Sequence, residues 1–244
     1  MKLHNALLAA VSAALLSTPA LALQDSCQAC PDGAKATTVA NPVSAPSDDA
    51  AVIASQLPSY PLSTCPISGE KLDDKAFNLV VDGRLVRTCC EDCAKKVTAD
   101  PSKAFAMIDE GVIKAQKASY PLETCPVSGE PLKSDDGEPV DVVVGTRLVR
   151  VCCKNCIKKV KAQPAKYLPK VDAALIEAQT KTYTATTCPV SGETLEGDMD
   201  SVNLLYGTRL VRLCCKGCVK KFNANPAKYI AILDGKKDVA SHQG

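Results

Sequence analysis

Hydrophobic and polar positions follow one another in an order that recurs about every 60 residues, as the first cysteines Cys65, Cys125 and Cys188 show. Each copy begins with apolar residues at helical spacing, in Ala50-Ala51-Val52-Ile53-Ala54-Ser55-Gln56, Glu110-Gly111-Val112-Ile113-Lys114-Ala115-Gln116 and Ala173-Ala174-Leu175-Ile176-Glu177-Ala178-Gln179. The closing Gln is followed four positions later by Tyr60, Tyr120 or Tyr183. The pattern then shifts to the period-two alternation of strands over 76–81, 140–144 and 202–206. A tight turn (82–83, 145–146, 207–208) leads to a returning strand over 84–89, 147–152 and 209–214. Lys-rich helical stretches come next. Pro101 and Pro164 then open longer helices over 101–117 and 164–180 that run on into the following copy, since Pro suits a first helical turn.

These elements predict an α+β chain of three tandem small modules: 47–106, 107–169 and 170–235, joined by helices as a string of units that touch their neighbours. Modules of that size bury little apolar surface and need a metal, disulfides or stacked neighbours to be stable. The 244 residues include no Trp and only three Phe, so aromatic packing contributes little.

The 14 cysteines supply what the core lacks. Each module carries four: Cys65, Cys89, Cys90 and Cys93; Cys125, Cys152, Cys153 and Cys156; Cys188, Cys214, Cys215 and Cys218. The first sits in a Cys-Pro-Ile/Val-Ser-Gly-Glu turn, where Pro fixes φ and Gly permits a positive φ, so that a tight knuckle presents a sulfur. The other three lie where the hairpin gives way to a helix. On a continuing strand, adjacent cysteines such as Cys89 and Cys90 point to opposite faces and do not share one centre; if the strand stops there, they can. Thiolates at a helix start suit soft or borderline metals, Zn²⁺ or Cu⁺, and not Ca²⁺ or Mg²⁺. Both histidines, His4 and His242, lie outside the repeats, so cysteines must supply the ligands.

The run Cys89-Cys90-Glu91-Asp92-Cys93-Ala94-Lys95-Lys96-Val97-Thr98-Ala99-Asp100-Pro101-Ser102-Lys103 resembles the closing half of the YHS and TRASH metal-binding domains. So does Cys214 to Cys218 with Val219-Lys220-Lys221-Phe222-Asn223-Ala224-Asn225-Pro226-Ala227-Lys228-Tyr229. Those families are short treble-clef-like modules associated with heavy metals: one cysteine, a hairpin-containing spacer, C-x-x-x-C and an Asn/Asp-Pro-x-Lys-Tyr ending. The resemblance implies a treble-clef or zinc-ribbon-like fold for each copy. It marks Cys65, Cys89 and Cys93; Cys125, Cys152 and Cys156; and Cys188, Cys214 and Cys218 as metal ligands. Cys90, Cys153 and Cys215 depart from the family pattern and either complete a four-sulfur site or offer a disulfide.

Outside the repeats, residues 1–22 read as a cleavable secretory signal, with Lys2, an apolar run over 6–16 and a cleavage site after Ala22. The expected location is periplasmic or secreted. Residues 23–46 read as a flexible linker carrying an isolated Cys27-x-x-Cys30, and 236–244 as a tail. No segment reaches the roughly 18–20 apolar residues of a membrane span. A formal net charge of +2 leaves no field for nucleic acid. An oxidising compartment favours disulfides for an even cysteine count, and two per module fit as well as one metal does.

The remaining recurrent residues carry simpler roles. Ser68, Ser128 and Ser191 read as local backbone hydrogen bonders. Arg87, Arg150 and Arg212 either depress a neighbouring thiol or pair with the knuckle residues Glu70, Glu130 and Glu193. No His stands ready as a partner base, so a Ser or Cys hydrolase is excluded. The reading is a non-enzymatic metal-binding protein for storage, buffering or handover, whose partners are metal ions and a protein of an exported metal pathway. A disulfide-stapled interaction protein and a thiol–disulfide redox protein stand as alternatives.

Overall fold

The structure, a computed structural model, describes residues 38–39, 49–133, 137–195 and 201–235. The signal, the linker apart from its residues 38–39, the Cys27/Cys30 pair and the tail lie outside the described residues. A two-residue strand β1 (Thr38–Val39) runs parallel to a strand of the third module. Helix α1 (Asp49–Gln56) and a 3₁₀ turn (Leu57–Ser59) open the first module. Its hairpin, β2 (Phe77–Val81) and β3 (Arg84–Thr88), is followed by α2 (Glu91–Ala99) and α3 (Ser102–Gln116). The second module repeats this with β4 (Val140–Val144), β5 (Arg147–Val151), α4 (Lys154–Ala162) and α5 (Pro164–Thr180). The third has β6 (Val202–Tyr206), β7 (Arg209–Leu213), α6 (Lys216–Ala224) and a shorter α7 (Pro226–Leu233). The class is α+β, with three small antiparallel hairpins in a shared register: Leu79 faces Val86, Val142 faces Val149 and Leu204 faces Val211.

Each hairpin core belongs partly to its neighbour. Val86 and Val97 pack with Ile108 and Val112 of α3, and Leu148 from the second hairpin joins them. Leu205 and Leu210 of the third hairpin join Val149, Leu168 and Leu175 of the second module in the same way. Helices α3 and α5 therefore close one module and open the next.

A recurrent side-chain clamp fixes each hairpin to the helix before it. The outer edge of the returning strand has free backbone groups that a sheet of two strands cannot pair. Gln56 accepts from Leu85 N–H at 2.9 Å and donates to the Gly83 carbonyl at 2.8 Å. Gln116 does the same for Leu148 (2.9 Å) and Thr146 (2.8 Å), and Gln179 for Leu210 (2.8 Å) and Thr208 (2.7 Å). Four residues on, the hydroxyls of Tyr60, Tyr120 and Tyr183 accept from the next free N–H groups, of Arg87, Arg150 and Arg212, at 3.1–3.2 Å. The Gln-x-x-x-Tyr spacing is a substitute for a third strand.

Two expectations are revised. The returning strands end one residue early, at Thr88, Val151 and Leu213, so the Cys-Cys pair is not strand and its side chains do not alternate. The modules also do more than touch their neighbours in order. Thr146, at the second hairpin turn, is fully buried; its hydroxyl donates to the Gln56 carbonyl at 3.0 Å and lies 2.7 Å from Ser59 Oγ. Gly207, at the third turn, has φ +65°, and a Cβ there would stand 3.0 Å from the Pro58 backbone. The opening segment of the first module thus meets the hairpin turns of both others.

Candidate metal centres

Each knuckle is a miniature hairpin closed on itself. Cys65 N–H donates to the Glu70 carbonyl at 2.7 Å and Gly69 N–H to the Cys65 carbonyl at 2.8 Å, with Gly69 at φ +81°. The same pairs recur at Cys125/Glu130/Gly129 and Cys188/Glu193/Gly192. The left-handed φ that closes this turn is the reason a glycine stands there. The knuckle carries a fully buried sulfur, Cys65, Cys125 or Cys188.

The hairpin and the next helix bring two more sulfurs to it. Cys89, Cys152 and Cys214 follow directly on the returning strand; Cys93, Cys156 and Cys218 lie one turn into α2, α4 and α6. Cys65, Cys89 and Cys93 have sulfurs all within 4.8 Å of one another, as do Cys125, Cys152 and Cys156, and Cys188, Cys214 and Cys218. The strand-to-helix pairs are 3.8, 4.0 and 3.6 Å apart. A disulfide needs about 2.05 Å. Thiolates about 2.3 Å from one tetrahedral ion lie about 3.8 Å apart, and the observed spacing is compatible with that arrangement. The three triads could hold a metal ion each, with sulfur as the donor.

The fourth cysteines stand at the rim. Cys90, Cys153 and Cys215 are the N-caps of α2, α4 and α6. Cys90 Sγ lies 3.8 Å from Cys89 Sγ, Cys153 Sγ 3.6 Å from Cys156 Sγ, and Cys215 Sγ 3.8 Å from Cys218 Sγ. Each N-cap sulfur therefore stands beside its triad, outside the set whose sulfurs all lie within 4.8 Å of one another.

The electrostatics separate the sulfurs by role. Burial pushes the Cys65 thiol up, but the Ser68 amide and hydroxyl, with the amides of Cys89 and Ile67, outweigh it and hold the thiol at about 6. Cys125 is held at about 6 and Cys188 at about 7 against burial by the equivalent donors of Ser128 and Ser191. Cys90, Cys153 and Cys215 are lowered first by the backbone N–H groups of Cys93, Cys156 and Cys218 at the helix start. The remaining thiols are raised. Burial and then Cys153 push Cys156 to about 12; Glu70 and Cys65 raise Cys89, while Ser68 opposes them. An ion that replaces the shared protons relieves this crowding.

The serines do more than the sequence suggests. Each accepts from the knuckle Glu N–H at 3.3 Å, as expected, and each hydroxyl also lies 3.2–3.3 Å from the strand sulfur, Cys89, Cys152 or Cys214. The arginines do something else. Arg87 donates to Asn78 Oδ1 at 3.0 Å, Arg150 to Asp141 Oδ1 at 2.8 Å and Arg212 to Asn203 Oδ1 at 3.3 Å, all directly across the hairpin, and none bonds a knuckle Glu. The arginines are engaged across the hairpin, while the exposed knuckle glutamates Glu70 and Glu193 lie against the thiols of Cys89 and Cys214 and raise them.

Sequence reading also missed the first Arg of each returning strand. Arg84 meets Asp109 at 2.5 Å, Arg147 meets Asp172, and Arg209 meets Asp234 at 2.6 Å. The constant 25-residue separation was the available signal. The pairs tie each hairpin to the helix that closes its module. Among the described residues no helix is long and apolar enough to cross a membrane. Comparison of the chain with protein-family models, curated proteins and solved structures finds no match.

Proposed function

We propose that the protein is an exported, non-enzymatic metal-binding protein with three thiolate sites, serving storage, buffering or handover of Zn²⁺ or Cu⁺. The observation that carries this reading is the threefold recurrence of three sulfurs within 4.8 Å of one another, each set around a buried knuckle cysteine. Three features support it: the all-sulfur donor set, the non-bonded S–S spacing and the donors that favour the thiolate at the knuckle. On the same reading each module is a TRASH- or YHS-like treble clef, whose knuckle, hairpin and helix start supply the ligands in turn. Export rests on the leader-like residues 1–22.

Metal analysis with thiol titration on anaerobically purified, leader-cleaved protein tests the function. One ion per triad, with thiols released by a chelator, is the expected result. A metal-free protein whose cysteines are already paired as disulfides sinks it. Fractionation of the producing cells with N-terminal sequencing of the mature chain tests export separately; a chain retained inside with its leader uncut refutes that part.

A further inference from the structure

Each triad has a sulfur that its geometry does not absorb. Cys153 and Cys215 are exposed and Cys90 is half-buried, in contrast to the fully buried knuckle sulfurs beneath them. All three are N-caps in extended conformation, at φ −153°, −154° and −157°. Each stands 3.6–3.8 Å from a triad sulfur. A sulfur that stands beside a triad and is also open to solvent is the place where a second molecule can meet an ion held there. Structural thiolate sites are closed, whereas sites that exchange a ligand keep one position accessible.

The residues around this position differ between modules. Cys90 is followed by exposed Glu91 and Asp92, and Lys95 is already engaged with both, at 3.1 and 3.6 Å. Cys153 is followed by exposed Lys154 and Asn155, and Cys215 by exposed Lys216 and Gly217. A small charged molecule approaching either position comes within the Debye length of about 8–10 Å of these side chains. All three positions share a knuckle glutamate, Glu70, Glu130 or Glu193. On top of that common charge the first N-cap is flanked by acidic residues and the other two by a lysine, so the second and third are the more favourable to anions.

Building on the metal reading above, we propose that Cys90, Cys153 and Cys215 are exchange ligands for thiol carriers, the second and third serving anionic thiols and the first not. In unloading, a carrier thiolate binds the ion and the bond from the ion to the N-cap sulfur breaks. The freed thiolate takes a proton from solvent, and repeated substitution draws the ion out of the triad. Loading is the reverse. One metal–sulfur bond forms for each that breaks, and nothing is oxidised or reduced.

The test uses the full mature chain loaded with Zn²⁺, with transfer to a chromophoric chelator followed in the presence of thioglycolate (anionic) or cysteamine (cationic). The Cys90→Ser/Cys153→Ser/Cys215→Ser variant keeps a good N-cap residue at each helix, so the modules fold. It is expected to hold as many ions as the parent but to lose thiol-accelerated transfer by at least ~10-fold, about 1.4 kcal/mol of barrier. In the parent, thioglycolate is expected to speed two of the three ions more than the third, and Lys154→Glu/Lys216→Glu to remove that difference. Fewer ions in the Ser variant would make the N-cap sulfurs ordinary structural ligands, and an unchanged transfer rate would show that exchange happens elsewhere; either overturns the proposal. A parent chain that takes up no Zn²⁺ or Cu⁺ instead overturns the metal reading itself.

Discussion

The hydroxyl of Ser128 illustrates how little chemistry separates a thiol from a ligand at these sites. It helps to bring Cys125 down to about 6 against burial and also touches Cys152 at 3.3 Å. Ser128→Ala should raise the Cys125 midpoint, read from thiolate absorbance of the apo chain, and should move metal uptake by this module to higher pH. An unchanged midpoint would assign the depression to the backbone donors alone. The same values set how apo stability varies with pH. Cys125, lowered from 9.0 to about 6, contributes stability that is complete above about pH 9 and is lost as pH falls through 6. Cys156, raised from 9.0 to about 12, contributes stability that is complete below about pH 9 and is lost as pH rises through 12. These two thiols together predict that the chelator-treated chain resists denaturant better at pH 9 than at pH 6. The opposite order would mean that Cys125 does not hold its lowered value in the folded chain, since the Cys156 contribution is nearly the same at both pH values.

At the scale of elements, the hairpins depend on side chains from outside the sheet. Gln116 makes two hydrogen bonds to the free edge of β5, one of them to the N–H of buried Leu148. At about 0.5–1.5 kcal/mol for each bond, Gln116→Ala should cost roughly 1–3 kcal/mol in chemical denaturation. A cost near zero would show that water serves the edge equally well. The Arg–Asp pairs allow an internal comparison, because the same contact is made at two depths. Asp172 and Arg147 are 3% and 13% exposed, while Asp234 and Arg209 are 34% and 43% exposed. Asp172→Ala leaves a buried guanidinium without its carboxylate and should cost about 3–5 kcal/mol. Asp234→Ala removes a solvated pair and should cost about 0–1 kcal/mol. Equal losses would contradict the assigned burial.

Much of this element pattern was legible in the chain. The strands 140–144 and 202–206 and the helix 164–180 fall where alternation and an opening Pro place them. The Gln and Tyr positions were visible as repeats, but their purpose was not. A hydrogen bond from a helix end to a strand about 30 residues later leaves no periodic trace. The end of the returning strand was misjudged by one residue, since apolar alternation carries on through Thr88 and Cys89 while the backbone already turns into α2. Spacing made the cysteines legible as sets of four; the inner three, Cys65, Cys89 and Cys93 and their counterparts, were singled out only by the family resemblance.

For the whole molecule, the arrangement of modules was the least legible feature. The meeting of Gly207 with Pro58 joins positions about 150 residues apart in the chain; a glycine in a hairpin turn is explained by the turn alone, so nothing in its spacing announces the neighbour. The helices α3 and α5 have a further consequence. Because α3 packs into the first core and its last residue, Gln116, clamps the second hairpin, neither site can be ordered without helping to order the other. Binding at one triad should therefore make the next ion bind more tightly, each ion adding to the stability of the same folded unit. Native mass spectrometry of half-titrated protein would show this in its occupancy statistics: mostly empty and fully loaded chains, with singly loaded ones scarce. A binomial spread of occupancies would mean three independent sites. The shared helices thus predict that affinity rises with each site already occupied, whatever the rate at which each ion leaves.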